Sequence, residues 1–170
     1  MGDLSQELIA FIDKSPSCYH VVQNLADILT ERGFQEVCEG DKWALVPGGQ
    51  YFVRRNLSTI LAFKVPQGEV KGFQIAASHC DSPTFKIKEN MDIVADGSYT
   101  ELNVEKYGGM LCAPWFDRPL SVAGKLVVKE GEKLVSRLVN VDRDLLMIPN
   151  LATTNAPKYP RHSRHRFCRA

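Results

Sequence analysis

His79 and Asp81, two positions apart in Ile75-Ala-Ala-Ser-His79-Cys80-Asp81-Ser-Pro83, are the residues of this chain best suited to metal chemistry. Side chains alternate across an extended strand, so an imidazole and a carboxylate at this spacing share a face while Cys80 takes the other. A neutral imidazole is a common zinc ligand, and a carboxylate beside it fixes its tautomer and raises its basicity. The pattern is not specific by itself. A His-x-Asp pair also serves as a surface or capping pair, and a zinc site needs three or four ligands. Cys80 as a nucleophile needs a base on its own side, and His79 faces away from it.

The elements around the pair place it at the mouth of a sheet. Phe73-Gln-Ile-Ala-Ala77 reads as a buried strand, and Ser82-Pro83 ends it, at the position where open α/β sheets carry their sites. Upstream, Leu4, Leu8, Ile9, Phe11 and Ile12 predict a short amphipathic helix over residues 4–13, closed by Ser15-Pro-Ser17. Ser17 then caps a second helix whose apolar positions Val21, Val22, Leu25, Ile28 and Leu29 keep helical spacing until Gly33. Both helices are expected to cover a sheet face. Trp43-Ala-Leu-Val46, Tyr51-Phe-Val53 and Thr59-Ile-Leu-Ala-Phe63 read as strands, the last apolar enough to be buried on both faces. After residue 90 the texture changes to polar alternation with hairpin punctuation, in Thr100–Glu105 and in Lys125–Val128, Glu130-Gly-Glu132 and Lys133–Val139.

Composition narrows the function classes. With 44% hydrophobic residues in 170 the chain has material for a core, and 21 basic against 20 acidic residues leave no global field. Nucleic acid and membrane surfaces are therefore not expected partners. The N-terminus lacks a basic region followed by an apolar core, and no apolar stretch approaches a membrane span. Five scattered cysteines without a Cys-x-x-Cys pair read as reduced thiols, which points to the cytoplasm.

The stretch Ala77-Ser-His79-Cys-Asp81-Ser-Pro-Thr-Phe-Lys-Ile-Lys88 closely resembles the first metal motif of the aspartyl aminopeptidase family of dinuclear zinc exopeptidases. Ser15-Pro-Ser-Cys-Tyr-His20, Tyr107-Gly-Gly109, Trp115-Phe-Asp-Arg118, Leu120-Ser-Val-Ala-Gly-Lys125, Ser136-Arg-Leu-Val-Asn140 and Ile148-Pro-Asn-Leu-Ala152 resemble that family's blocks, in its order. The resemblance covers about residues 4–152. It implies an α/β fold in which residues 1–90 are the N-terminal portion of the metallopeptidase sheet domain and residues 91–152 are part of an inserted β-rich dimerisation domain. It also implies a zinc metallo-aminopeptidase that releases N-terminal, possibly acidic, residues from peptides and works as a homo-oligomer. By resemblance His79 is a zinc ligand and Asp81 the catalytic carboxylate that holds its imidazole. Intact members bind two zinc ions and use an adjacent Glu-Glu pair for the general base and a ligand; this chain contains no Glu-Glu dipeptide, so at most one partial site is expected.

Several features have plain structural readings. His20 fits a first-turn polar residue, Lys86 and Lys88 solvated strand lysines, and Trp115 to Arg118 a packing block. Pro119 stands where the family usually carries an acidic residue, and Cys112-Ala-Pro114 replaces a more aromatic and polar stretch. The tail, residues 153–170, is different in kind, with four arginines and two histidines in its final ten positions. A polyanion-binding tail, a His162/His165 metal pair and a shifted reading frame are the competing readings; the frameshift accounts best for the abrupt loss of family-like text and implies a disordered tail. The chain thus reads as an aminopeptidase by family, truncated and inactive alone, the alternative being a non-catalytic fragment or oligomerisation module that pairs with an intact homologue.

Overall fold

A computed structural model describes residues 3–95, 99–150 and 167–168. The chain divides into two compact units. The first comprises Met1–Asp81 with Ala123–Asn140, and the second Ser82–Val122 with the chain from Val141 onward.

The first unit is built on helix α2, Cys18–Glu31, which lies against a three-stranded sheet of β1 (Gln35–Glu36), β2 (Gln50–Arg55) and β3 (Thr59–Lys64), and against strand β7 (Ala123–Glu130). The helix starts after Ser17 and ends as its sequence dictates. Gly33 adopts φ +84, and the amides of Gly33 and Phe34 return to the carbonyls of Thr30 and Leu29, satisfying groups that the last turn leaves open. Val22 and Ala26 on α2 are buried, as are Tyr51 and Phe52 on β2. Adjacent strand residues face opposite ways, so β2 is covered on both sides at this point. Arg54, on the same side as Phe52, donates to Gln23 of α2 at 2.8 Å and pairs with Glu36 at 2.7 Å, which identifies the helix-covered face. On the other face Tyr51 meets its register partner Phe63, and Trp43 stacks on Phe63 at 5.8 Å.

Three expectations about this unit are corrected. Trp43–Val46 is not a strand; it is irregular chain whose tryptophan lies over Phe63 and whose Val46 amide donates to the Tyr51 hydroxyl at 3.0 Å. β3 forms but is not buried on both faces, because the Trp43 cover stops short of Leu61, which stays 57% exposed. Helix α1, Leu4–Asp13, is capped by Asp3 as designed for a helix start but buries none of its residues, so α2 alone covers the sheet. Asn24 ties the junction between the helices, donating to the Lys14 carbonyl and the Ser15 hydroxyl, both at 2.9 Å.

β7 pairs antiparallel with β8 (Lys133–Asn140) as the sequence punctuation predicts. Its two-residue loop opens on Gly131 at φ +63, the conformation that a II′ hairpin turn demands at that position. Lys125 of β7 sits over the Tyr19 ring of α2 at 4.8 Å.

The second unit is mostly antiparallel. Strand β4 (Thr84–Ala95) pairs with β5 (Tyr99–Tyr107), with a register shift between Ile87 and Asp92, and Lys86 approaches its cross-strand partner Glu105 at 3.9 Å. Short strands β6 (Pro119–Leu120) and β9 (Leu146–Met147) pair, and β10 (Phe167–Cys168) adds to β5. Leu102 and Ile148 are its buried residues among those described. The Trp115 block packs as expected: Trp115 meets Phe85 edge-on at 5.4 Å, Asp117 accepts from the Asn150 amide at 2.8 Å, and Arg118 donates to the Pro114 carbonyl at 3.1 Å. The remainder of the 153–170 tail, including His162 and His165, lies outside the described residues.

Candidate metal centre

The segment that carries His79 and Asp81 is extended chain rather than strand. Residues 69–83 belong to no regular element, and Phe73 and Ile75 stand 87% and 83% exposed, which corrects the expectation of a buried strand over 73–77. A ladder needs a neighbour, and among the described residues none pairs with this segment.

The two side chains nevertheless meet. His79 Nδ1 lies 3.1 Å from Asp81 Oδ1 and 2.8 Å from the Asp81 backbone carbonyl oxygen. Both partners are acceptors, so Nδ1 carries the ring proton and donates to them. That tautomer leaves the lone pair on Nε2, the nitrogen turned away from the pair. The geometry is the one in which a second group orients a metal-binding imidazole. The side chains are 81% and 41% exposed, so water screens their attraction and the pair orients more than it stabilises.

Cys80 points elsewhere, donating from Sγ to the Ser58 carbonyl at 3.2 Å. Cys18, at the first position of α2, sits close enough to feel both Cys80 and Asp81. Burial, then the Cys80 and Asp81 charges, push its thiol above the ordinary value. Sequence spacing carries no signal for this approach, because residues 18 and 80 are far apart in the chain and only the fold brings them together. His20, as expected, is a first-turn residue: Ser17 Oγ and His20 Nδ1 lie 2.8 Å apart, and burial lowers its pKa.

A zinc ion is not fully served by what is present. Among the described residues no three histidine, cysteine, aspartate or glutamate side chains converge on one point. His79 Nε2 is a prepared donor, and the other ligands that a tetrahedral ion requires are not gathered around it.

Comparison with known proteins finds relatives that match most of this chain. The curated relatives include a probable M18 family aminopeptidase 2 of Clostridium acetobutylicum, 47% identical over 154 residues, which cover 88% of this chain and 36% of the relative. They also include the aspartyl aminopeptidase of Dictyostelium discoideum, 45% identical over 152 residues, covering 87% and 31%. The chain therefore spans about a third of the length of the curated relatives it matches. Among solved structures it is similar to one in a cryo-EM structure of the Ape4 and Nbr1 complex, with TM-score 0.85, 38% identity and coverage of 96% of this chain and 33% of the other. It is also similar to the S. cerevisiae mApe1 dodecamer structure, with TM-score 0.81 and 32% identity, covering 89% and 36%. The fold is thus a mixed α/β fragment that matches part of these structures. A family profile for aminopeptidase I zinc metalloprotease matches residues 11–161, and the chain belongs to that metallo-aminopeptidase family, M18.

Proposed function

We propose that this chain is the N-terminal, first-motif portion of a zinc metallo-aminopeptidase that releases N-terminal residues, acidic ones by preference, from peptides in the cytoplasm. His79 supplies one zinc ligand through Nε2, and Asp81 holds the ring from the other side. The carrying observation is the Nδ1 contact to Asp81 at 3.1 Å, which leaves Nε2 as the available donor in the stretch that resembles the family's first metal motif. The remaining ligands and the general base come from sequence beyond the matched third, so the 170-residue chain alone is inactive. In this reading residues 91–152, which include β5 and the β7–β8 hairpin, are part of the dimerisation domain, and a dodecameric relative supports assembly of the intact protein into a homo-oligomer.

The test is zinc analysis after gel filtration, paired with an aminopeptidase assay on Asp- and Glu-naphthylamide substrates. Substoichiometric zinc and no turnover are expected of the isolated chain. Tight stoichiometric zinc with turnover would refute the assignment of the missing ligands to other sequence. Reading the genomic DNA beyond codon 152 in all frames tests the origin of the tail: a Glu-Glu pair and a second His motif downstream are expected, and their absence would count against the shifted frame.

A further inference from the structure

We propose that Cys18 and Cys80 are a reversible redox pair, a modification site at which a low-molecular-weight disulfide joins the start of α2 to the chain between His79 and Asp81. Both cysteines belong to the first unit. The pair is independent of the zinc-ligand assignment, and its test needs no metal.

Two contacts fix how α2 runs along β3. Just past the end of the helix, the ring of Phe34 lies under Lys64 of β3, with Nζ 5.6 Å from its centroid. Nearer the start of the helix, Gln23 accepts from Arg54 at 2.8 Å, and Arg54 is the cross-strand partner of Ile60. The helix therefore runs antiparallel to β3, with its start toward Thr59. Going back from Gln23 to Cys18 covers about 7.5 Å of helix axis, and going back from Ile60 to Ser58 covers about 7 Å of strand. Cys18 thus comes level with Ser58. It also lies on the stripe of α2 that holds the buried Val22 and Ala26, so its side chain is turned toward the sheet. Cys80 reaches the same place from the other side, donating from Sγ to the Ser58 carbonyl at 3.2 Å. The raising of the Cys18 thiol, by burial first and then by Cys80 and Asp81, agrees with this meeting. Both cysteines are free and half-buried, so neither is sealed from a small reagent.

The chemistry is two successive thiol–disulfide exchanges. The thiolate of one cysteine attacks a small disulfide such as oxidised glutathione, forming a mixed disulfide and releasing one glutathione thiolate. The thiolate of the other cysteine then attacks the protein sulfur of that mixed disulfide, forming the Cys18–Cys80 bond and releasing the second glutathione. Two protein thiols are oxidised, one disulfide is reduced to two thiols, and the two protons pass to the glutathione thiolates. Disulfides of this transient, sensing kind are those that occur in a reducing compartment. The new bond takes Cys80 off the Ser58 carbonyl and tethers His79 and Asp81 to the first turn of α2.

The test uses the full 170-residue chain in chelator, equilibrated with mixtures of reduced and oxidised glutathione, quenched in acid, alkylated and digested with trypsin. Mass spectrometry is expected to find peptide 15–32 joined to peptide 72–86, and the link is expected to vanish with dithiothreitol. At a fixed glutathione mixture the ratio of linked to free pair is expected to be at least about tenfold higher in native buffer than in concentrated urea, because the fold already holds the two thiols together. Cys38→Ser is expected to leave the link unchanged, and Cys18→Ser to leave Cys80 carrying glutathione. Hydrogen exchange at residues 79–81 is expected to slow on oxidation, and an equal rate would refute the tether. The pair itself is overturned if both cysteines end as mixed glutathione disulfides, if the link is no more favoured in native buffer than in urea, or if Cys80 pairs instead with Cys38 or with a second copy. The comparison with urea is made on the unaltered sequence, so it decides the matter even where a variant fails to fold. Zinc content is read on separate, chelator-free aliquots, so failure of the ligand assignment and failure of the redox pair are different results.

Discussion

Replacing Asp81 with alanine removes one of the two oxygens that hold the His79 ring. In the wild-type chain Nδ1–H faces the carboxylate at 3.1 Å and the Asp81 carbonyl at 2.8 Å. The backbone oxygen survives the substitution, so orientation is weakened rather than lost. His79 is largely in water and Asp81 is partly exposed, and a solvent-screened pair of this kind contributes about 0.2–1 kcal/mol. The upper figure corresponds to about a fivefold change in an equilibrium ratio. Asp81→Ala is therefore expected to lower the ratio of Nδ1–H to Nε2–H tautomers of His79 by up to about fivefold, while shifting the urea midpoint hardly at all. Nitrogen-15 NMR of the imidazole, recorded with the ring neutral, reads the ratio directly. An unchanged ratio in the variant, or a wild-type ring protonated mainly on Nε2, would refute the orienting role of Asp81.

Other residues give independent tests. Phe52 is almost fully buried on β2, and Phe52→Ala is expected to cost about 3–5 kcal/mol, seen as a large fall in the denaturant midpoint; a change under about 1 kcal/mol would contradict the placement of the core. His20 has a folded pKa below its ordinary value of 6.5, so its neutral form is the one the fold prefers. Its contribution to stability is full above pH 6.5 and is lost as pH falls through the folded value, and His20→Gln is expected to flatten the stability profile in that window. Cys18, raised by burial and by Cys80 and Asp81, is expected to alkylate more slowly at pH 8 than the exposed Cys38, as mapped by mass spectrometry; equal rates would contradict the packing of α2 at its start.

What could be read from the sequence was whatever local chemistry decides. Ser17 and Gly33 bracket α2: Ser17 holds the N-cap position, although its hydroxyl meets His20 Nδ1 and not a backbone amide, and the left-handed C′ residue is a property of a few neighbouring atoms. Gly131 announces the β7–β8 turn for the same reason. The His79–Asp81 contact follows from the extended backbone alone and needs no ladder, which is why the pair meets although the expected strand does not form. What failed depended on partners distant in sequence. The apolar pattern of Phe73–Ala77 states a capacity for burial, and the described residues supply nothing to bury it. Trp43–Val46 has strand-like residues, yet Trp43 gains more from stacking on Phe63 than from a ladder that has no place beside β2, already paired on both edges by β1 and β3. The approach of Cys18 to Cys80 and Asp81 arises from packing across about sixty residues of chain, for which spacing carries no signal.

The central claim is that His79 offers Nε2, and not Nδ1, to a metal whose other ligands lie elsewhere. Zinc titration of the purified chain, followed by nitrogen-15 NMR of the histidine rings, addresses it directly. Weak binding that perturbs His79 at Nε2, with Nδ1 still protonated and the half-buried His20 unmoved, is the expected result. Coordination through Nδ1, or a saturable tight site that leaves His79 untouched, would contradict it.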